Sequence, residues 1–397
     1  MKNKRSKWLR ARHKIIRNLI SIFLSPIAKL KYHIKIKKQK IGQCLILSNH
    51  QTAFDQFFVS SAFKQPVYYV ASEDLFSMGW VSKVIKWAVA PIPIKKQTTD
   101  LKAVKDCMQV AKEGGTIAIF PEGNRTFSGK TETIKKSIVK LIKALKLPLA
   151  FFKIEGGYGV QPRWSDKTRK GKMTAQVSRI LQPEQYLNLT DDELYSLVKT
   201  ELYVNEANSN NIVKSNKLAE YLERLVYVCP KCGIAQFESN KNLIKCKTCG
   251  LSIQYQEDLK LKGINDNISF NYVNEWYEYQ QKFIHNLDIS KYFSKPCFLD
   301  KVSLFEVILY KNKKLINKKT NIECFGDKFI INNELLNFTN ISAVSVLGRN
   351  KLNIYYLDKV FQIKGNKRFN AVKYVNMFYH WQNTQQKKEE YGEFLGL

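Results

Sequence analysis

The chain has 397 residues, of which 44% are hydrophobic and 25% are charged. This balance is ordinary for a folded soluble chain, and it excludes a mainly disordered, a collagen-like or a polytopic membrane protein. The formal net charge of +31, from 65 Lys and Arg against 34 Asp and Glu, predicts attraction to a polyanion such as nucleic acid, an anionic membrane or a phosphorylated substrate.

The first 40 residues hold fourteen Lys and Arg and no Asp or Glu. Their apolar stretch, within residues 13–26, is interrupted by Arg17, Asn18 and Pro26. It is too short for a membrane-spanning helix, which needs about 20 apolar residues, and no signal-peptide cleavage pattern follows it. We therefore interpret residues 1–40 as a basic amphipathic segment on a membrane surface. The alternative is a solvated basic tail or a nucleic-acid-binding arm.

Between residues 41 and 205, short apolar runs alternate with helical stretches, which predicts an α/β domain. The predicted strands are residues 43–48, 66–71, 115–120 and 147–154, and the predicted helices are residues 101–113 and 133–145.

After residue 250 the chain becomes rich in aromatic residues and then in short β-like runs. We expect a helical connector at 256–300 and a β-rich domain at 301–397 that ends in a helix near 369–385. Several antiparallel strands followed by one helix is the order of a pleckstrin-homology-like (PH-like) barrel, and other small β domains share it. Its lysines are interpreted either as solvated or as a phosphate-attracting face.

Four of the eight cysteines form two C-x2-C pairs that are thirteen residues apart, in a region predicted to span 217–255 with a helix at 219–225 before the pairs. A glycine after each pair permits the turn that points both sulfurs at one centre. This spacing predicts a zinc ribbon rather than two disulfides. Four thiolates leave no position for water, so the zinc would be structural. The predicted ligands are Cys229, Cys232, Cys246 and Cys249. The other four cysteines are interpreted as buried free thiols, typical of a reducing compartment.

A histidine and an aspartate follow the first predicted strand as H-x4-D, at His50 and Asp55. Five residues of a regular helix rotate by about 500°, so the two side chains meet only if His50 lies in the strand-to-helix turn and Asp55 on the helix. A carboxylate that holds one imidazole nitrogen leaves the other free to accept a proton, which predicts a general base. The alternative is a histidine satisfied at a strand end beside an aspartate that starts a helix.

A second polar block, F-P-E-G-x-R, follows the strand at 115–120. Its Arg125 offers a planar guanidinium for phosphate, Gly123 lets the backbone approach a ligand, and Glu122 can accept a hydroxyl or orient Arg125. Taken alone, this stretch is better interpreted as a surface turn with a helix cap.

Together, N-H-x4-D at 49–55 and F-P-E-G-x-R at 120–125, with Glu122 72 positions after His50, resemble the glycerophospholipid acyltransferase family of the 1-acyl-glycerol-3-phosphate acyltransferase type. The resemblance covers residues 15–200. Residues 156–164, 169–172 and 219–224 are also similar to a bacterial subgroup that carries a zinc ribbon behind the acyltransferase domain.

The resemblance implies an acyltransferase domain with a mixed sheet flanked by helices, in which His50 is the general base and Asp55 orients it. Glu122, Gly123 and Arg125 would hold the glycerol and phosphate of the acceptor. The family's middle block, G-x-I-x-I-x-R, aligns with residues 90–96, where the glycine is missing and Lys95 and Lys96 supply positive charge without a guanidinium fork.

The implied reaction moves a fatty acyl group from a thioester or acyl-phosphate donor, with acyl-CoA or acyl-carrier protein as co-substrate, to the hydroxyl of a lysophospholipid. The expected acceptor is 1-acyl-glycerol-3-phosphate and the product phosphatidic acid, and another lysolipid acceptor stays open. The implied location is the cytoplasmic face of the cell membrane, as a peripheral protein. A nucleic-acid-binding zinc-ribbon protein would explain the charge but not the two blocks, and the intact His50–Asp55 pair argues against a lipid-binding scaffold without catalysis.

Overall fold

A computed structural model describes residues 8–94, 100–308 and 311–386. The helices of the amino-terminal half are α1 (Ala11–Tyr32), α2 (Asp55–Ala62), α3 (Trp80–Val89), α4 (Leu101–Lys112), α5 (Ser137–Leu145), α6 (Gly157–Val160), α7 (Pro183–Tyr186) and α8 (Asp191–Leu202). Its strands are β1 (Ile34–Ile36), β2 (Leu45–Ser48), β3 (Val67–Ser72), β4 (Ile92–Ile94), β5 (Thr116–Ile119), β6 (Leu149–Glu155) and β7 (Met173–Leu181).

These strands form one sheet in the order β1-β7-β6-β2-β5-β3-β4. The strands from β6 to β4 are parallel, whereas β7 runs antiparallel to β6 and β1 pairs with β7 in parallel. The predicted mixed sheet flanked by helices is therefore confirmed. Because β2 and β5 are parallel neighbours, the two polar blocks that follow them leave the sheet at the same edge.

The central strand β2 is buried along its whole length, as expected of a parallel strand covered on both faces. Leu45 and Leu47 belong to the core beneath α4, α5 and α8, and Ile46 belongs to the core beneath α1 and α2. This alternation follows from the period of two residues along a strand. It anchors the strand end that carries His50 between two separate cores.

The middle of the chain contains the short strands β8 (Val228–Cys229), β9 (Gly233–Ile234), β10 (Phe237–Asn240), β11 (Leu243–Cys246), β12 (Ser252–Tyr255) and β13 (Leu261–Gly263), followed by α9 (Val273–His285). The predicted helix at 219–225 is wrong, since the chain forms only a 3-10 turn at Leu222–Arg224. Tyr221 has a left-handed backbone (φ 72°), which interrupts a regular helix before it can form.

The carboxy-terminal part contains β14 (Phe298–Glu306), β15 (Lys314–Cys324), β16 (Lys328–Ile331), β17 (Glu334–Asn337), β18 (Ile341–Leu347), β19 (Lys351–Tyr356), β20 (Lys359–Lys364) and α10 (Val372–Gln385). Its strands form an antiparallel sheet in the order β17-β16-β15-β14-β20-β19-β18, and α10 packs against β18. The predicted β-rich domain with a closing helix is confirmed. Strand β15 was not predicted, because most of its residues are exposed and its sequence lacks an apolar alternation.

One hydrophobic core runs from the cysteine-bearing strands through α9 into the carboxy-terminal sheet. Within it, Trp276 of α9 donates its indole N–H to the carbonyl of Val228 at 2.9 Å, and Gln280 accepts the N–H of Tyr227 at 2.7 Å. These buried hydrogen bonds tie the cysteine-bearing segment to α9.

Candidate active site

His50 lies in the turn between β2 and α2, and Asp55 is the first residue of α2. Nδ1 of His50 is 2.8 Å from Oδ2 of Asp55. The turn itself is held by Asn49, whose side chain makes two 2.8 Å hydrogen bonds with the backbone of Ile154 in β6. In the neutral ring Nδ1 donates to the carboxylate, and Nε2 is left with a lone pair that can accept a proton.

The carboxylate of Asp55 is fully buried and is held by the turn that carries His50. Its Oδ2 accepts the N–H groups of Gln51 at 2.6 Å and Thr52 at 2.9 Å, and its Oδ1 accepts the Thr52 hydroxyl at 2.6 Å. With the His50 ring, this makes four hydrogen bonds to one carboxylate. The direction of the imidazole is therefore set locally.

The His50 ring stacks on Phe120, with centroids 4.3 Å apart and an interplanar angle of 22°. Its side chain retains 18% exposure. Burial is the largest cause that lowers the pKa of His50 below its usual value of 6.5, and Asp55 opposes this shift. The imidazole is consequently neutral at physiological pH, which is the form that acts as a base.

Glu122 joins the two polar blocks. Its Oε1 accepts the backbone N–H of His50 at 2.8 Å, and its Oε2 accepts that of Glu132 at 2.9 Å. Burial raises the pKa of Glu122 to about 8, although these two N–H groups lower it. Both oxygens thus have protein donors, and the role of Glu122 toward an acceptor stays a prediction.

Gly123 and Arg125 face the same space as His50. Gly123 has a left-handed backbone (φ 73°), and a Cβ built on it would meet nothing within 4 Å. Arg125 is largely buried, and its Nη1 has no hydrogen-bond partner among the described residues. Burial lowers the pKa of Arg125 to about 10, so it keeps its charge at neutral pH. Lys95 and Lys96, the other predicted phosphate contacts, lie outside the described residues.

Arg163 was missed as a site residue by the sequence analysis. It is fully buried and donates to three backbone carbonyls, those of Arg125, Val346 and Gly348, each at 2.7 Å. Two of these partners lie 183 and 185 positions away along the chain. No local pattern could have revealed contacts at that separation.

A cavity of about 940 Å³ joins these groups. Its polar end is formed by His50, Glu122, Gly123, Arg125 and Arg163. Most of the remaining lining is apolar and comes from β3, α3, α4 and α5, including Tyr68, Val70, Ile85, Val89, Val104, Ile138 and Leu141. A cationic end beside a long apolar wall suits an amphiphile with an anionic head.

Two helices beside this cavity expose large apolar side chains. Those of α1 recur at three- and four-residue spacing, so they form one face of the helix. The exposed residues are Ile15, Leu19, Ile22, Phe23, Ile27 and Leu30 of α1 and Trp80, Val84 and Trp87 of α3. The two helices contact each other, and both also line the cavity. Of the helices described, none combines the length and the apolar character needed to cross a membrane.

The four clustered cysteines bring their sulfurs within 4.8 Å of one another. The Sγ atoms of Cys229 and Cys249, and those of Cys232 and Cys246, are 3.6 Å apart. Ligands at about 2.3 Å from a tetrahedral zinc ion are about 3.8 Å from each other, so the cluster fits such an ion. Of the remaining cysteines Cys44, Cys107 and Cys324 are buried, and Cys297 is half-buried.

Known proteins share the motif-bearing part of this chain. The model of the family described as Acyltransferase matches residues 29–154. The 1-acyl-sn-glycerol-3-phosphate acyltransferase of Bacillus subtilis (strain 168) is 21% identical over 182 residues, which cover 46% of this chain and 88% of that protein. The chloroplastic enzyme BAT2 of Brassica napus, of the same name, is 26% identical over 128 residues. That match covers 31% of this chain and only 36% of the length of the Brassica protein.

Among solved structures, the crystal structure of the 1-acyl-sn-glycerophosphate acyltransferase PlsC from Thermotoga maritima aligns with a TM-score of 0.41 at 20% identity. The alignment covers 48% of this chain and 80% of that one. The family match and the two polar blocks within it support the glycerophospholipid acyltransferase family for residues 29–154. The subgroup with a zinc ribbon stays a prediction.

Proposed function

We propose that the protein transfers a fatty acyl group to the free hydroxyl of 1-acyl-glycerol-3-phosphate and so produces phosphatidic acid. One observation carries this proposal: a neutral imidazole, oriented by a buried carboxylate, lines the cavity. The same cavity has a guanidinium at its polar end and an apolar wall along the rest of its length. The names of the similar bacterial and plant proteins support the choice of acceptor.

In the proposed reaction, Nε2 of His50 removes the proton of the acceptor hydroxyl as its oxygen attacks the carbonyl carbon of the donor thioester. The C–S bond then breaks, and the imidazolium returns the proton to the departing thiolate. General-base assistance of this kind contributes about 10²- to 10⁴-fold. The donor is acyl-CoA or acyl-carrier protein, and an acyl phosphate would react in the same way with phosphate as the leaving group.

The polar end of the cavity would receive the phosphate of the acceptor. Arg125 supports this role because its charge is buried and its Nη1 is unpaired among the described residues. A buried unpaired donor is costly, and a phosphate oxygen would satisfy it. Lys95 and Lys96 would add positive charge from the middle block. The apolar wall would take an acyl chain.

The protein would act as a peripheral protein on the cytoplasmic face of the cell membrane. The exposed apolar face shared by α1 and α3 supports this location, because it adjoins the cavity into which a lysophospholipid would move from the membrane. The charge of residues 1–40, +14 from fourteen Lys and Arg without Asp or Glu, would add attraction to anionic lipids.

Two structural assignments belong to the same proposal. The four clustered cysteines would hold a structural zinc ion in a ribbon, and their mutual distances support this. The order of the carboxy-terminal strands and the closing helix α10 support a PH-like barrel. Zinc would stabilise the fold and take no part in the acyl transfer.

The test is to incubate the purified full chain with labelled acyl-CoA or acyl-carrier protein and a panel of lysolipids, and to identify the products by mass. Wild type should form phosphatidic acid, and His50→Ala should form none while it keeps its melting temperature and its binding to vesicles. His33→Asn is the matched control, because His33 is exposed at the left-handed end of α1, a conformation that asparagine tolerates. Activity in His50→Ala would refute the role of His50, and absence of any acylated product would refute the proposed function.

A further inference from the structure

The carboxy-terminal domain reaches into the cavity through the turn between β18 and β19. Leu347, the last residue of β18, and Gly348 in the turn line the same cavity as His50 and Arg125. Gly348 has a left-handed backbone (φ 64°), and a Cβ there would meet nothing within 4 Å, so this part of the turn borders open space.

A buried guanidinium clamps this turn to the acyltransferase domain. Arg163 donates to the carbonyls of Val346 at the end of β18 and Gly348 in the turn, and to that of Arg125 on the other side, each at 2.7 Å. Because Arg163 is fully buried and has no freedom to move away, the position of the turn relative to Arg125 is tightly defined.

Arg349 follows Gly348, which lines the cavity, and the side chain of Arg349 is 37% exposed. Its Nη1 is 3.3 Å from a carboxylate oxygen of Asp166, and that oxygen also accepts from Arg224 at 2.7 Å. Arg349 therefore shares its counter-ion with a second arginine. Burial is the largest cause that lowers the pKa of Arg125. The charge of Arg349 also lowers this pKa, while Asp55 opposes the shift. The two guanidinium groups are thus close enough to repel each other.

Building on the proposed acyl transfer, we propose that Arg349 and Arg125 together bind the phosphate monoester of the acceptor, so that the carboxy-terminal domain completes the acceptor site. A dianionic phosphate between two guanidinium groups would turn their repulsion into attraction, and each can bind it with two hydrogen bonds. Arg349 would also supply the guanidinium that the middle block lacks, since that block has only Lys95 and Lys96.

The acceptor fits this place better than the acyl donor does. In 1-acyl-glycerol-3-phosphate the reacting hydroxyl and the phosphate stand on adjacent carbons. When the hydroxyl approaches His50, the phosphate must remain at the polar end, which Arg125 and the turn beside Arg349 enclose. A donor such as acyl-CoA also carries phosphates, and a separate measurement of the KM for the donor distinguishes the two sources.

The experiment compares wild type, Arg349→Gln, Arg349→Lys and Lys351→Gln in the full chain. Binding of a short-chain lysophosphatidate is measured by calorimetry, and the KM values for the acceptor and the donor are measured separately. Arg349→Gln should raise the Kd and the acceptor KM by about 10- to 100-fold and leave the donor KM unchanged. Arg349→Lys should restore only part of the affinity, because lysine lacks the planar fork. Lys351→Gln, on the same hairpin, should change these values by less than about 2-fold.

The outcomes separate this inference from the proposed function. Unchanged binding in Arg349→Gln, a change confined to the donor KM, or an equal loss with an uncharged 1-acylglycerol acceptor would overturn the role of Arg349. If wild type binds lysophosphatidate through Arg349 but transfers no acyl group, the inference holds and the proposed reaction fails. If wild type neither binds nor acylates lysophosphatidate, both fail.

Discussion

Oδ2 of Asp55 lies 2.8 Å from Nδ1 of His50, and the same oxygen accepts the backbone N–H groups of Gln51 and Thr52. The imidazole is thus oriented by a carboxylate that its own turn holds in place. All four hydrogen bonds to the Asp55 carboxylate come from residues 50–52, although Phe120 from the neighbouring strand end supports the ring face of His50.

The first prediction concerns Asp55→Asn. An amide replaces one acceptor oxygen with a donor, so at least one of the four hydrogen bonds is lost and the His50 tautomer is no longer enforced. We expect acyl transfer to fall by about 10²- to 10⁴-fold and the free energy of unfolding to fall by about 1–3 kcal/mol. Steady-state kinetics and urea unfolding measure the two effects. Wild-type rates in this variant would contradict the orienting role of Asp55.

The second prediction concerns the pH dependence of the reaction. Burial lowers the pKa of His50 below 6.5, and the base acts only when it is neutral. The rate should therefore rise with pH along an acid limb whose midpoint lies below 6.5, and it should be level above that value until other groups titrate. A profile of log kcat/KM against pH from 5 to 8 measures the midpoint. A midpoint above 7 would be incompatible with a buried imidazole at position 50.

The third prediction concerns Glu122→Gln. Glutamine keeps one acceptor oxygen, so either the N–H of His50 or that of Glu132 loses its partner, at a cost of about 1–3 kcal/mol in the free energy of unfolding. The exposed Glu184→Gln is the control and should lie within about 0.5 kcal/mol of wild type.

The pH dependence of that difference has a definite sign. The pKa of Glu122 rises from 4.5 to about 8 on folding, so between these values the folded protein binds more protons than the unfolded chain. The contribution of protonated Glu122 to the free energy of unfolding is therefore complete below pH 4.5 and is lost as the pH rises toward 8. The advantage of wild type over Glu122→Gln should accordingly shrink between pH 5 and pH 8 in denaturant titrations. An advantage that grows over this range would contradict the raised pKa.

The fourth prediction concerns the cysteine cluster. The purified full chain should contain about one zinc ion, and Cys246→Ser should contain none and should melt at a lower temperature, because the cluster adjoins the core shared with α9. Cys297→Ser lies outside the cluster and should keep the metal. Elemental analysis and thermal unfolding measure both effects. Full zinc content in Cys246→Ser would refute the site.

The fifth prediction concerns the exposed face of α1 and α3. Ile22 and Phe23 are 66% and 70% exposed, and each would contribute about 1.5–3 kcal/mol when fully buried in lipid. The double change Ile22→Ser and Phe23→Ser should weaken binding to anionic phospholipid vesicles by at least about 10-fold in sedimentation assays. Leu335→Ser, which replaces an exposed leucine of β17 in the same way, is the control. Equal vesicle binding by all three proteins would refute the membrane role of this face.

The sequence alone determined the features that depend on neighbouring residues. The alternation of apolar runs predicted β2, β3, β5 and β6 to within a few residues, because burial on both faces demands continuous apolar side chains. The spacing of four cysteines and the short step from His50 to Asp55 are local as well. The family likeness of the two polar blocks is therefore contained in the sequence itself.

The tertiary structure alone decided which distant segments meet. The sheet order makes β2 and β5 neighbours, so Glu122 reaches the turn of His50 across 72 positions. The clamp of Arg163 on Gly348 spans 185 positions and brings the carboxy-terminal domain to the cavity. Such contacts arise from burial shared between remote parts of the chain, which leaves no periodic pattern in either part by itself.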